Sequence, residues 1–185
     1  MWGEISDLKA LAMSGPNGFV PVPDYRARKL APADETLIEA FQLGALSGDI
    51  ASHRGGEQPS AEIRGLIDLI SGFNDLSNYF VYRALAIDDP CTFQDPYCER
   101  SLNSWSLSPN CALNVALSQS RGPFIIMRRQ LQHEDSALFI DDWEYEVLCP
   151  PTEFELGYAH RGIVGLYRDS VDLSVVDCVA KGRAK

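Results

Sequence analysis

The order of patterns along the chain predicts an α+β fold, because helical patterns come first and short strand patterns follow. Apolar residues recur at helical spacing between residues 34 and 72, and seven segments rich in β-branched and aromatic residues lie between 79 and 178. A length of 185 residues is enough for one domain with its own core. We therefore predict a single domain over 1–185, in which residues 1–31, rich in Pro and Gly, form an irregular N-terminal segment.

Local start and stop signals delimit the two main helices. The first begins at Asp34 and Glu35, and its apolar positions follow at helical spacing: Leu37, Ile38, Phe41, Ala45 and Leu46. After a flexible loop at 53–59, Ser60 is a good N-cap for the second helix, which Gly72 ends. Shorter helical patterns run over 5–12 and from Cys111 to Ser118.

Strands are predicted at 79–86, 101–107, 123–131, 143–149, 154–158, 162–167 and 171–178, with turn-forming residues between them. The strand at 143–149 is the most informative. Residues i and i+2 of a strand project from one face, roughly 6–7 Å apart, so Glu144 and Glu146 are predicted to point the same way and Tyr145 into the core. Two neighbouring acids can hold a developing cation. An exposed strand face is the alternative.

Two earlier strands carry further polar groups: Arg83 interrupts an apolar run, and Ser104 and Ser106 flank Trp105. An Arg, then Ser-x-Ser, then Glu-x-Glu, each on its own strand, resembles the mono-ADP-ribosyltransferase family of the Arg-Ser-Glu class, which includes bacterial toxins, phage enzymes and vertebrate ecto-enzymes. The resemblance covers residues 66–156. Trp105 departs from the usual Thr at the middle of Ser-Thr-Ser, and because its side chain is expected to point away from the serine face, the change affects packing more than chemistry.

The resemblance implies a fold of two packed, mainly antiparallel sheets with N-terminal helices. It also implies that the protein transfers ADP-ribose from NAD to an arginine of a target protein and releases nicotinamide. NAD is then a substrate and not a bound cofactor. By resemblance, Glu146 hydrogen-bonds a ribose hydroxyl and opposes the oxocarbenium-like charge. Glu144 activates the acceptor, since a Glu at this position accompanies arginine acceptors in the family. Ser104 supports the Glu146 carboxylate.

NAD binding is implied for Arg83, Ser104, Trp105 and Ser106, with the Arg83 guanidinium on the phosphates. Structural alternatives remain for these residues. Arg83 can instead pair with an acid at position 88 or 89, and the serine hydroxyls can serve backbone hydrogen bonds alone.

Charge limits the partners. Net charge is −10, from 26 acids and 16 bases, which disfavours bulk binding of nucleic acid. NAD is itself an anion, so a local basic patch is required, and the candidates are Arg83, Arg121, Arg128 and Arg129. A basic or neutral protein target is steered in more easily.

The cysteines and histidines predict no metal site. The five cysteines form no Cys-x-x-Cys pair, and the three histidines are isolated in the sequence. We expect free thiols in a reducing cytosol, with a pair between Cys91 and Cys98 as the alternative in an oxidising space.

The N-terminus lacks a basic region followed by an apolar stretch, and no apolar run approaches the ~20 residues of a membrane span. We therefore expect no signal peptide and no membrane association, and either a cytoplasmic location or delivery into a host cell, as for a phage or effector enzyme.

Two other functions stay open, as do two roles for one apolar segment. The chain can be an NAD glycohydrolase with water as acceptor, or a catalytically silent relative that binds a partner. In the segment before the acidic strand, Leu138, Phe139 and Ile140 either contact a target or anchor the core.

Overall fold

The computed structural model describes residues 28–74, 76–86, 97–119, 124–140, 145–166 and 169–180. Its helices are α1 (Pro32–Gln42), α2 (Ser47–Arg54), α3 (Ala61–Ser71) and α4 (Pro109–Gln119). Its strands are β1 (Phe80–Ala86), β2 (Tyr97–Glu99), β3 (Asn103–Ser106), β4 (Phe124–Gln130), β5 (Leu138–Phe139), β6 (Glu146–Cys149), β7 (Thr152–Leu166) and β8 (Asp169–Ala180). The predicted helix over 5–12 and the irregular segment up to residue 27 lie outside the described residues. The α+β class is confirmed.

Helix α3 forms as predicted. The Ser60 Oγ accepts a hydrogen bond from the backbone N–H of Ile63 at 3.2 Å, and Gly72 is the C-cap. Its buried residues pack against β5 and β6 in one core cluster, which includes Ile63, Leu66, Ile70, Leu138 and Leu148. The helix therefore closes one face of the sheet beside the strand that begins at Glu146.

The first predicted helix is two helices. α1 ends at Gln42, and Gly44 adopts φ +72°, a left-handed conformation that suits glycine and breaks the helix. The Ser47 Oγ then donates to the Gly44 carbonyl at 2.7 Å as α2 begins. α2 runs to Arg54, where a flexible loop was expected from residue 53.

The strands pair in the order β2-β7-β8-β4-β1-β3-β6-β5. This is one continuous ladder, so two separate sheets are not confirmed. The ladder nevertheless folds over itself. β7 and β3 are four steps apart, which in a flat sheet is roughly 19 Å, yet the rings of Trp105 on β3 and Phe154 on β7 have centroids 5.7 Å apart. The two halves of the ladder thus face each other across the core.

Three details of the strands differ from prediction. β2 and β5 were missed, because strands of three and two residues show no periodicity. The segments at 154–158 and 162–167 form one strand, β7, with a register shift between Leu156 and Ala159. The acidic strand begins at Glu146 rather than 143, because Tyr145 has φ +53° and is not extended.

The apolar residues before the acidic strand belong to the core. Leu138 and Phe139 are fully buried and Ile140 is nearly so. They are therefore an anchor rather than an exposed target contact. Among the described residues, no helix is both long and apolar enough to cross a bilayer.

Candidate active site

Three neighbouring strands bring the predicted polar residues together. β1, β3 and β6 are consecutive in the sheet, with Tyr82 opposite Ser106 and Ser106 opposite Glu146. Arg83, Ser104 and Glu146 therefore sit on adjoining strands although up to 63 positions (146 − 83) separate them in the sequence.

The Ser104 hydroxyl donates a hydrogen bond to the Glu146 Oε1. Ser104 is exposed and Glu146 is half-buried at the start of β6. This bond fixes one carboxylate oxygen, so the Glu146 carboxylate has a defined orientation where it lines the cavity described below.

Arg83 approaches the same pair from β1. Its Nη1 donates to the Ser104 carbonyl at 3.3 Å, and its side chain is 16% exposed. The Nε lies 3.2 Å from the Oε1 of Glu99, a buried acid on β2. Arg83 is thus paired with Glu99, while the acids at 88 and 89, the predicted alternative partners, lie outside the described residues.

The second serine has a different environment. Ser106 is buried, and its Oγ accepts a hydrogen bond from the Ser108 backbone N–H at 3.0 Å. The Ser108 Oγ in turn accepts from the Cys111 N–H at 3.3 Å, in the manner of an N-cap for α4. Ser106 therefore supports the turn that starts α4.

Trp105 points away from the serine face, into the core, and is 1% exposed. Its indole Nε1 donates to the Glu99 Oε2 at 3.3 Å. The guanidinium of Arg129 lies beside both rings of the Trp105–Phe154 pair, 5.3 Å from the centroid of Trp105 and 5.2 Å from that of Phe154. The tryptophan side chain is therefore part of a buried polar cluster behind the site.

A cavity of about 650 Å³ opens in front of these strands. That volume falls within the range of small-molecule sites, roughly 300–1,000 Å³. Polar groups from α2, β1, β3 and β6 line it: Arg54, Arg83, Ser104 and Glu146. Its apolar lining includes residues of β1 and α4: Tyr82, Ala84, Ala112, Val115 and Ala116.

Comparison with known proteins identifies the fold. No family model and no curated protein sequence matches the chain. Among solved structures, the enzymatic component C2-I of the Clostridium botulinum C2 toxin aligns with a TM-score of 0.67 and 16% identity, over 88% of this chain and 45% of that one. C3stau2 from S. aureus, solved with NAD, gives 0.55 and 20% over 80% and 88%. The ADP-ribosyltransferase Vis, in complex with agmatine, gives 0.56 and 15% over 97% and 85%.

The chain has the ADP-ribosyltransferase fold. It spans 45% of the length of C2-I, and identities of 15–20% establish the fold alone.

Among the described residues of this ADP-ribosyltransferase fold, the arginines that line the cavity are Arg54 and Arg83. Arg128 pairs with Asp177 at 2.6 Å, Arg129 is buried against Trp105, and Arg121 lies outside the described residues. The missed contributor is Arg54 on α2, whose Nη2 donates to the Asn103 Oδ1 at 3.3 Å. No local signal marks it, because the sequence around it is typical of a solvated loop.

The main residue that sequence analysis missed is Glu99, since an acid in the polar run around residue 99 is typical of a surface turn. Burial raises its pKa most strongly, while Arg83, Arg129, the Trp105 N–H and Arg54 act in the opposite direction. Glu144 lies outside the described residues. In the described part of the chain, no cluster of His, Cys, Asp and Glu is arranged to hold a metal ion.

Proposed function

We propose that this chain is a mono-ADP-ribosyltransferase that moves ADP-ribose from NAD to an arginine side chain of a protein and releases nicotinamide. The observation that carries the proposal is the Ser104–Glu146 hydrogen bond at a cavity whose wall also contains Arg83. The shared fold supports it, as does the fact that C3stau2 was solved with NAD and Vis with agmatine, a small guanidine.

Glu146 is the proposed centre of the chemistry. When the bond between nicotinamide and ribose breaks, its electron pair leaves with nicotinamide and positive charge develops at the ribose carbon. A carboxylate close to that carbon stabilises the charge. The Ser104 hydroxyl holds one oxygen of Glu146 and thereby orients the carboxylate at the cavity. A carboxylate held in advance needs no reorganisation during the reaction.

Arg83 is proposed to bind the pyrophosphate of NAD, because a planar guanidinium pairs well with anionic oxygens. Arg54 adds a second positive charge on the same cavity wall. The apolar lining from β1 and α4 offers contact for the aromatic rings of the substrate.

Glu144 is the proposed base for the acceptor. An arginine guanidinium has a pKa near 12 or above in solution, so it is a poor nucleophile until a proton is removed. In the proposed step an arginine nitrogen bonds to the ribose carbon and its proton passes to Glu144. The net charge of −10 favours approach of a basic target surface that presents such an arginine.

The test is incubation of the purified protein with labelled NAD, first with agmatine and then with a protein extract. We expect labelled agmatine and labelled protein. Glu146→Gln should lower both transfer and NAD hydrolysis by about 10²–10³-fold, since it removes the charge that opposes the cation. Glu155→Gln, the same change at an exposed position of β7, is the matched control.

Each other product pattern contradicts the proposal in a specific way. Free ADP-ribose without labelled acceptor indicates an NAD glycohydrolase. NAD binding without turnover indicates a silent relative, and near-normal turnover in Glu146→Gln removes Glu146 from the centre of the chemistry.

A further inference from the structure

A buried acid lies behind the proposed NAD-binding wall. The Glu99 side chain is 1% exposed. Glu99 lies on β2, which pairs with β7 at the end of the ladder, yet its carboxylate contacts Arg83 on β1. A buried carboxylate is costly unless cations and hydrogen-bond donors surround it. We therefore looked for a side chain whose position depends on the Glu99 carboxylate.

The partners of Glu99 come from both halves of the folded ladder. Arg83 Nε is 3.2 Å from Oε1, and the Trp105 indole N–H donates to Oε2 at 3.3 Å. The Arg129 guanidinium lies over the Trp105 ring, 5.3 Å from its centroid. Burial raises the pKa of Glu99, while Arg83, Arg129, the Trp105 N–H and Arg54 act in the opposite direction and favour its charged form.

Glu99 restricts the guanidinium of Arg83. One end of the group lies beside Glu99 and another donates to the Ser104 carbonyl at 3.3 Å. Within the described part of the chain, neither Arg83 Nε nor Glu99 Oε1 makes a directional hydrogen bond, so their contact is an ion pair. A long side chain held at two points loses less freedom when it binds a ligand.

We propose that Glu99 is a positioning residue for NAD: with Trp105 it holds the Arg83 guanidinium at the cavity wall, and it acts on NAD only through Arg83. This inference rests on the proposed function. It also gives the tryptophan of the Ser-Trp-Ser element a role, since the indole N–H is the donor that reaches Glu99 across the core. A threonine at that position has no donor of this reach.

The experiment is a double-mutant cycle on NAD binding, measured by calorimetry with wild type, Glu99→Gln, Arg83→Ala and the double variant. Glutamine keeps the shape and an oxygen for Trp105 but removes the charge that holds Arg83. We expect Glu99→Gln to weaken NAD binding by about tenfold, while in the Arg83→Ala background the same change has less than a twofold effect. The kcat at saturating NAD should stay within about twofold of wild type, because Glu146 is untouched.

Glu155→Gln is the matched control for loss of an acid, and far-UV circular dichroism reports whether each variant folds. If Glu99→Gln fails to fold, Trp105→Phe replaces it, since phenylalanine keeps an aromatic ring in the core and removes the N–H donor toward Glu99 together with part of the ring volume. Its effect on NAD binding should likewise disappear in the Arg83→Ala background.

The outcomes distinguish a failure of the proposed function from a failure of the positioning role of Glu99. No NAD binding by wild type refutes the proposed function and this inference with it. Normal NAD binding by folded Glu99→Gln overturns the positioning role and leaves the proposed function standing. Equal losses in the wild-type and Arg83→Ala backgrounds show that Glu99 acts independently of Arg83, which also overturns it.

Discussion

The two serines of the Ser-Trp-Ser element should respond differently to substitution by alanine: Ser104→Ala should lower activity, and Ser106→Ala should lower stability. The Ser104 hydroxyl donates to the Glu146 carboxylate at an exposed position. A hydrogen bond to a charged group contributes about 1.5–3 kcal/mol, and exposure places this one near the lower end. About 1.5 kcal/mol in the barrier corresponds to roughly tenfold in rate. Ser104→Ala should therefore reduce kcat by about tenfold and leave the melting temperature within about 1 °C of wild type.

Ser106→Ala should instead reduce stability. The Ser106 Oγ accepts from the N–H of Ser108, and both residues are buried. Leaving a buried N–H without its acceptor costs about 1–3 kcal/mol. For a domain of this size each kcal/mol lowers the melting temperature by about 2–4 °C, so the expected decrease is about 2–12 °C. The kcat measured well below the melting temperature should stay within about twofold of wild type.

Each serine variant is the control for the other, because both remove one hydroxyl from the same strand. The assays are agmatine labelling at saturating NAD and thermal unfolding followed by circular dichroism. If both variants lose activity equally without loss of stability, Ser106 also acts in the chemistry. If Ser104→Ala keeps full kcat, the hydrogen bond to Glu146 does not orient the reacting carboxylate.

Three further predictions follow from individual residues. Glu144→Gln should lose agmatine labelling and keep much of the NAD hydrolysis, because water needs less activation than a guanidinium; parallel loss would show that the two acids act as one unit. Tyr145→Val should be less stable than Tyr145→Asn by about 1–2 kcal/mol in urea unfolding, since φ +53° suits Asn and strains a β-branched residue; equal stability would contradict that strain. Burial raises the pKa of Cys149 to about 11 and that of Cys178 to about 12. At pH 8 iodoacetamide should therefore modify exposed Cys98 first and these two only on unfolding, as peptide mass spectrometry would show; equal labelling rates would refute their burial.

Local signals predicted the elements that depend on local physics. The capping serine at position 60 and the glycine at 72 define α3 because an N-cap hydrogen bond and a glycine C-cap are made by residues close in sequence. The sequence also predicted Arg83, Ser104 and Glu146 on three separate strands, and the structure brings these three residues together. Their roles remain predictions.

Contacts between distant segments were not predictable in the same way. Nothing near Glu99 in the sequence marks it as a core residue, because its partners Arg83 and Trp105 lie on other strands. The strand at 143–149 was predicted too long, since aromatic and β-branched content cannot reveal the left-handed conformation of Tyr145. The same-face argument for Glu144 and Glu146 requires an extended residue between them and therefore does not hold as stated.

The position of β8 has a consequence for how the protein folds. β8 lies between β4 and β7, parallel to the first and antiparallel to the second, although it follows both in the sequence. β7, and β2 paired to it, cannot join the rest of the ladder until residues 169–180 have been inserted. Pairings of such long sequence separation form slowly and leave strand edges open to aggregation in the meantime. Since β2 carries Glu99, the support behind Arg83 is completed only in this late step, and the cavity wall at Arg83 stays incomplete until then.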